Sequence, residues 1–189
     1  MRLATTTLLA LTLAFAAQAD GPAQSQPSTD EDRVVLAAAL EDFAKWKKAT
    51  FGKFNGVLAV EPQSRRLPDA TVESVMSLAS NIRSKIEPAL ALSFVDRNRI
   101  GTDVASLIAG SRWAQPYVRP EGDPPRWQEP PAGAKAFGQL TLPGYSTNGS
   151  EAIVQLHHSW SVHSAVVTYL LVRKGAGWRV VARDQAVYW

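Results

Sequence analysis

The chain has 189 residues, a formal net charge of +3 and no cysteine, and 46% of its residues are hydrophobic. A charge so near zero predicts no nucleic-acid partner, and the lack of cysteine excludes both disulfides and acylation on a cysteine. The length is that of one domain that buries a core unaided.

The N-terminus has the pattern of a signal peptide. Arg2 supplies a positive charge, residues 3–16 are apolar apart from threonines, and residues 17–19 (Ala-Gln-Ala) form a small-x-small cleavage site. The apolar stretch is too short for a membrane span, so we expect a periplasmic or secreted protein with no span after cleavage. A retained N-terminal anchor is the alternative. Residues 20–29, rich in Ser, Pro and Gln, are expected to be a disordered leader, and residues 30–189 a single domain.

Helical spacing dominates the first half of that domain. Residues 30–48 carry apolar side chains at intervals of three and four and predict an amphipathic helix. The basic run 45–48 is expected to be its solvated end, and Arg65-Arg66 a solvated loop. Residues 56–60 form a short apolar run typical of a strand. Residues 72–97 continue the helical pattern, with a break near 85–87 imposed by Pro88.

The next part of the chain is less regular. Residues 103–109 are compatible with either a strand or a short helix. Residues 117–134 are rich in proline and glycine and predict a long irregular connection, expected to be a solvated spacer.

The region 140–189 has the pattern of an antiparallel meander. Asn148-Gly149 between two strand-like runs is a hairpin signal. A loop over residues 159–163 predicts Leu156 opposite Val166, and a turn over 174–177 predicts Tyr169 opposite Ala182. In that register His158 and Tyr169 lie on opposite faces, and both faces are largely apolar. We therefore expect a curved sheet with helices on one face and a pocket or a partner on the other.

The same region carries a family resemblance, which rests on residues 143–146 (Pro-Gly-Tyr-Ser), Gly149, an Ala152-x-Val154 strand and the step at 178–181 (Trp-Arg-Val-Val). It resembles a group of small exported bacterial proteins with no established reaction, so the resemblance assigns no catalytic residue. The chain is also similar to cone-shaped α+β domains related to nuclear transport factor two, which often carry a C-terminal Gly-x-Trp-x-Val or Gly-x-Trp-x-Ile strand; the corresponding run here is residues 175–180 (Gly-Ala-Gly-Trp-Arg-Val). That similarity implies an α+β fold with N-terminal helices against a curved antiparallel sheet formed mainly by the C-terminal half.

Candidate chemistry is limited to three histidines. His157 and His158 are adjacent in a strand and point to opposite faces, so they cannot readily ligate one metal ion. His158 and His163 can approach each other across the hairpin loop, but Glu151 and Asp184 are too distant in this register to complete a site. No Gly-x-Ser-x-Gly elbow and no phosphate-binding loop is present. The sequence therefore predicts neither a metal nor a cofactor.

A binding surface at the hairpin tip is the remaining hypothesis. Trp160 and His163 are placed there, with His158 and Tyr145 nearby, and exposed aromatic loop residues suit contacts with a small molecule or an envelope protein. The alternative is that Trp160 folds back over the end of the sheet.

We predict a non-catalytic binding domain. A hydrolase-like or isomerase-like enzyme using the concave sheet face is the alternative, favoured by a cavity with His157 or Tyr169 and an acid. A purely structural role also fits the sequence.

Overall fold

The computed structural model of the chain describes residues 29–51, 57–118, 130–131, 133–160 and 163–188. The predicted signal peptide, the leader up to residue 28 and most of the proline-rich connection lie outside these residues. Thr29, the last residue assigned to the leader, already belongs to the first helix.

The first helix, α1, spans Thr29–Phe51 and confirms the helix predicted over 30–48. Three acidic residues occupy its first turn and Lys48 its last, an arrangement that suits the helix dipole. Its end is not wholly solvated as predicted, because Lys47 is buried with its ammonium 4.6 Å from the centre of the Trp46 ring. Burial lowers the pKa of Lys47 to about 8.

The second helical region is broken as Pro88 predicts. Helix α2, Val72–Leu78, ends earlier than expected and begins with a capping box between Thr71 and Ser74. A single 3-10 turn at Arg83–Lys85 follows, and α3, Pro88–Arg97, starts with proline in its first turn. Residues 103–109, ambiguous in sequence, contain the short helix α4, Ala105–Ile108.

Seven described strands form one mixed sheet in the order β2-β1-β3-β5-β6-β7, with β4 beside β5. Strand β1 is parallel to both neighbours, β2 and β3, and the other pairings are antiparallel. The α+β class and the C-terminal origin of most of the sheet are confirmed, although the sheet is not wholly antiparallel. The strands are β1 Leu58–Val60, β2 Ala114–Pro116, β3 Ala136–Leu140, β4 Gly144–Tyr145, β5 Glu151–Trp160, β6 His163–Lys174 and β7 Gly177–Tyr188.

The predicted register of the meander is wrong by one residue in two places. Trp160 pairs with His163, so the strands continue through most of the predicted loop and Leu156 lies opposite Val167. Leu171 does lie opposite Val180, as predicted, but a bulge beside it places Tyr169 opposite Arg183. A slip of one residue exchanges the two faces of a strand. His158 and Tyr169 consequently share one face instead of lying on opposite faces.

Helices cover both faces of the sheet, whereas the sequence predicted helices on one. On the face that we call the α1 face, α1 and α4 pack against side chains such as Val154, Val167 and Leu171. On the opposite face, the α3 face, α2 and α3 pack against Ile153 and Leu170. The approach of α3 is so close that a Cβ atom on Gly144 would lie 2.4 Å from the Cα of Phe94. Only glycine fits there without a shift of the helix.

Candidate functional site

The structure separates Tyr145 from the other predicted site residues. Tyr145 pairs with Ala152 near the start of β5, whereas His158 lies about 20 Å further along the same strand at its usual rise per residue. Tyr145 therefore does not belong to the hairpin tip. Its position suggests a different role.

Tyr145 belongs to a buried polar clamp that joins α1 to α3. The guanidinium of Arg97 donates two hydrogen bonds of 2.9 Å to the carboxylate of Asp32, and the Tyr145 hydroxyl donates a third, of 2.8 Å. Arg97 also donates to the carbonyl of Pro143. Burial is the largest single influence on the pKa of Arg97 and lowers it, but the hydrogen bonds and the charge of Asp32, together with Tyr145, outweigh burial and raise this pKa. Burial and the Asp32 carboxylate raise the pKa of Tyr145, so its hydroxyl keeps its proton.

His158 is a core residue. It is 2% exposed on the α1 face, and its ring meets the ring of Phe43 edge-on at a centroid distance of 4.9 Å. Burial, together with the positive charge of Lys47, lowers the pKa of His158 to about 3. The imidazole is therefore neutral at physiological pH, and its place between helix and sheet suits packing better than ligand contact.

Trp160 and His163 lie at the predicted tip. They pair with each other across β5 and β6, and His163 is half-buried. The side chain of Trp160 and the intervening residues 161–162 lie outside the described residues. The binding role of this tip stays a prediction.

Along the strands, the side chains on the α3 face change from apolar to polar. Ile153 and Leu170 pack under the helices, and the next cross-strand pair is polar, with Gln155 donating to Thr168 at 3.1 Å. Both members of that pair are buried. Beyond them lie Gln139 and His157, which are Cα partners on β3 and β5 and are only half-buried.

Glu61 and Tyr117 continue the line of Gln139 and His157 onto the neighbouring strands. The backbone N–H of Glu61 donates to the carbonyl of Gly138, and that of Tyr117 donates to the carbonyl of Val60. Glu61 thus directly follows β1, and Tyr117 directly follows β2. Because side chains alternate between the faces of a strand, both lie on the same face as Gln139. We call Tyr117, Glu61, Gln139 and His157 the polar row.

Two adjoining depressions lie along the polar row, and together we call them the groove. They have volumes of about 260 and about 280 Å³, are open to solvent and share Glu61. The first is lined by Glu61, Phe137, Gly138, Gln139, His157, His158 and Ser159, and the second by Glu61, Pro62, Gln63, Tyr117 and Val118.

Hydrogen-bonding groups and aromatic rings meet in the groove. The side-chain amide of Gln139 donates to the carboxylate of Glu61. Burial and then the charge of Arg65 lower the pKa of His157 to about 4, so its imidazole is neutral with one donor and one acceptor. The rings of Tyr117 and Phe137 lie 5.5 Å apart at 50°. This arrangement can hold a small molecule with polar and apolar parts.

Apart from His157 and His158, sequence reasoning assigned none of the groove residues to a site. The sequence does carry a signal for Glu61, because this residue directly follows the apolar run 57–60. Residues 136–140 alternate between buried and half-buried positions, so Phe137 and Gln139 lie on one face of the strand. What was missing is the pairing of β1 with β3, which are far apart in sequence.

Neither a cluster of metal-binding side chains nor a membrane-spanning helix occurs among the described residues. No three of their His, Asp and Glu side chains are grouped to hold a metal ion. None of the described helices has the length and hydropathy of a membrane span.

Comparison with known proteins provides no relative from which a function could be inferred. No protein-family model matches the chain, and no curated protein or solved structure matches it.

Proposed function

We propose that this chain is an exported, non-catalytic binding domain whose groove holds a small organic molecule. The observation that carries this proposal is the polar row, which lies on the α3 face beyond the apolar side chains that α2 and α3 cover. Ligand sites are typically concave, with a few polar groups converging among apolar and aromatic side chains. Gln139, Glu61 and His157 provide such groups beside Phe137.

An enzyme is the second candidate, because an imidazole and a carboxylate line one depression. An efficient general base has a pKa near the working pH. The pKa of His157 is about 4, so it would remove protons poorly at neutral pH. The carboxylate of Glu61 accepts a hydrogen bond from Gln139. These properties support binding more than acid–base catalysis.

Export is proposed from the N-terminal pattern alone. Expression of the full chain followed by cell fractionation tests it, and we expect mature protein beginning at Asp20 in the periplasm or the medium. Full-length protein that stays with the membrane would support the retained anchor instead.

The groove is tested by NMR titration of the exported, ¹⁵N-labelled protein with a panel of amino acids, amines, carboxylic acids and nucleosides. We expect at least one compound to shift the amide signals of Glu61, Gln139 and His157. Gln139→Ala should abolish the shifts, whereas Gln185→Ala should leave them unchanged, because Gln185 pairs with Val167 and so lies on the α1 face.

A second matched pair separates the groove from the hairpin tip. His157→Gln should weaken binding and His163→Gln should not. Shifts confined to residues around Trp160 and His163, with loss of binding in His163→Gln, would contradict the groove and support the tip.

A further inference from the structure

The pair formed by His157 and Gln139 carries hydrogen-bonding groups that the protein itself leaves unused. The two residues are Cα partners on neighbouring antiparallel strands, so their side chains stand side by side on the α3 face. Within the part of the chain that the structure describes, the imidazole of His157 makes no hydrogen bond, and the amide of Gln139 makes only the one to Glu61. Both side chains are half-buried and line the same depression. Their unused groups are therefore open to a ligand.

The hydrogen bond to Glu61 determines how the Gln139 amide is oriented. A carboxylate accepts hydrogen bonds, so the NH₂ group of Gln139 faces Glu61 and the amide oxygen is left without a donor. Strand β3 lies between β1 and β5, so Glu61 and His157 flank Gln139 on opposite sides. An acceptor of fixed orientation thus lies beside the imidazole. This arrangement depends on one hydrogen bond and not on the net charge of the groove.

The imidazole supplies the complementary group, a donor. Burial and then the charge of Arg65 lower the pKa of His157 to about 4, so the ring is neutral and has one N–H. Either ring nitrogen can carry that hydrogen, so the ring can donate to a carbonyl oxygen of a ligand that itself donates to Gln139. A lactam has such an edge, because its N–H and C=O are adjacent in one ring and point the same way.

An aromatic wall adjoins this pair. Phe137 precedes Gln139 by two residues in β3, so its ring lies next to the amide on the same face. The ring of Tyr117 lies 5.5 Å from that of Phe137 and extends the wall. A planar ring whose edge bonds to Gln139 and His157 can therefore rest against Phe137.

We propose that the groove binds a planar heteroaromatic lactam, recognised through its adjacent N–H and C=O groups. Gln139 accepts from the ligand N–H, His157 donates to the ligand carbonyl, and Phe137 packs against the ring. Pyridones and pyrimidinones belong to this class. This inference rests on the proposed function, since it specifies the ligand class of the same groove.

Three probes that differ by one feature each test the inference. 2-Pyridone has the full edge in an aromatic ring, 1-methyl-2-pyridone lacks the N–H, and 2-piperidone keeps the edge in a saturated ring. NMR titration of the exported, ¹⁵N-labelled protein should show 2-pyridone binding about tenfold more tightly than its methylated form, because methylation leaves the Gln139 oxygen unpaired. 2-Piperidone should bind about two- to fivefold more weakly than 2-pyridone, because it packs less well against Phe137.

Variants of the pair assign each hydrogen bond to one side chain. Gln139→Met keeps the length of the side chain and should weaken binding of 2-pyridone about tenfold, while binding of 1-methyl-2-pyridone stays unchanged because that compound has no N–H. His157→Phe should weaken binding of both compounds by a similar factor, because both keep the carbonyl. Gln185→Met, on the α1 face, is the matched control and should change neither.

Glu61 is a positioning residue in this site, and two variants separate its orienting effect from its charge. Glu61→Gln keeps an acceptor for the NH₂ group of Gln139 and should retain the preference for 2-pyridone over its methylated form. Glu61→Leu releases the amide and should reduce that preference to less than about threefold.

The outcomes separate the two proposals. If 1-methyl-2-pyridone binds as tightly as 2-pyridone and shifts the signals of Gln139 and His157, the lactam inference is wrong and the groove remains a ligand site. The same conclusion holds if another compound of the wider panel shifts those signals and 2-pyridone does not. If neither these probes nor any member of the wider panel shifts those signals, both proposals are wrong.

Discussion

The two faces of the sheet are built from the same strands but differ in how far their helices reach. Helix α1 has 23 residues and is about 34 Å long, close to the roughly 33 Å of the ten-residue strand β5. Helix α3 has ten residues and is about 15 Å long. Contacts of α1 with the α1 face run from Asp32 and Tyr145, beside the start of β5, to Phe43 and His158 near its end. On the α3 face, α2 and α3 pack around Ile153 and Leu170.

The α1 face stabilises the fold along its whole length, whereas the α3 face is divided between an apolar part under the helices and an open polar part. The buried side chains of the α1 face include most of the largest apolar ones in the described part of the chain, such as Phe43 and Leu171. On the α3 face, apolar side chains occur under α2 and α3, and the polar row begins where those helices end. A helix that is too short for its strand thereby leaves room for a groove.

The largest predicted effect comes from one substitution made on each face. Phe43→Ala should lower the free energy of unfolding by about 3–5 kcal/mol, because it removes a fully buried ring from between helix and sheet. Phe137→Ala should lower it by only about 1 kcal/mol, because that ring is half-exposed in the groove. Urea unfolding measures both values. Similar losses in the two variants would contradict the division between the faces.

A smaller effect is expected from lowering the pH. His158 on the α1 face and His157 in the groove have folded-state pKa values of about 3 and about 4, below the value of about 6.5 expected for an unfolded chain. Between these values the unfolded chain binds protons that the folded chain excludes. Stability should therefore be complete above about pH 6.5 and should fall as the pH decreases, by about 1–2 kcal/mol per pH unit.

Replacing each histidine separately tests which imidazole causes the pH dependence. His158→Leu and His157→Leu should each remove about half of the decrease between pH 6.5 and 5, because both folded-state pKa values lie well below this interval. Urea unfolding at pH 7, 6 and 5 provides the measurement. An equal pH dependence in the wild type and in both variants would show that neither imidazole is the cause.

The smallest effect is a gain in stability on the α1 face. The hydroxyl of Tyr169 is buried and has no hydrogen-bond partner among the described residues, and burial raises its pKa. Tyr169→Phe removes an unsatisfied polar group and should raise the free energy of unfolding by about 1 kcal/mol. Tyr145→Phe removes a hydroxyl that donates to Asp32 and should lower it by about 1–2 kcal/mol. The same sign in both variants would contradict these assignments.

The features predicted correctly from sequence depend on local patterns. Apolar spacing predicts α1, Pro88 predicts the break before α3, and Asn148-Gly149 predicts the turn before β5, where Gly149 has a positive φ of 66°. Each of these signals lies within a few residues of the feature it specifies. The α+β class follows from such elements without knowledge of their partners.

The errors concern pairing between distant parts of the chain. A hairpin tip with strands continuing to Trp160 and His163 cannot be distinguished from a longer loop by polarity, because Ser159 and Ser164 fit either. The bulge between Leu170 and Leu171 has no sequence signal that we recognise. The groove escaped prediction because β1 pairs with β2 and β3, whose residues are supplied by other regions of the chain.

The clamp of Asp32, Arg97 and Tyr145 has a consequence for how the chain folds. Its members come from α1, α3 and β4, so it can close only after both helical layers have docked on the sheet. Contacts between such distant residues form slowly, because a long loop must be closed before any is made. We therefore expect the clamp to close late, and once closed it couples loss of either helical layer to loss of the other, so that the domain unfolds as one cooperative unit.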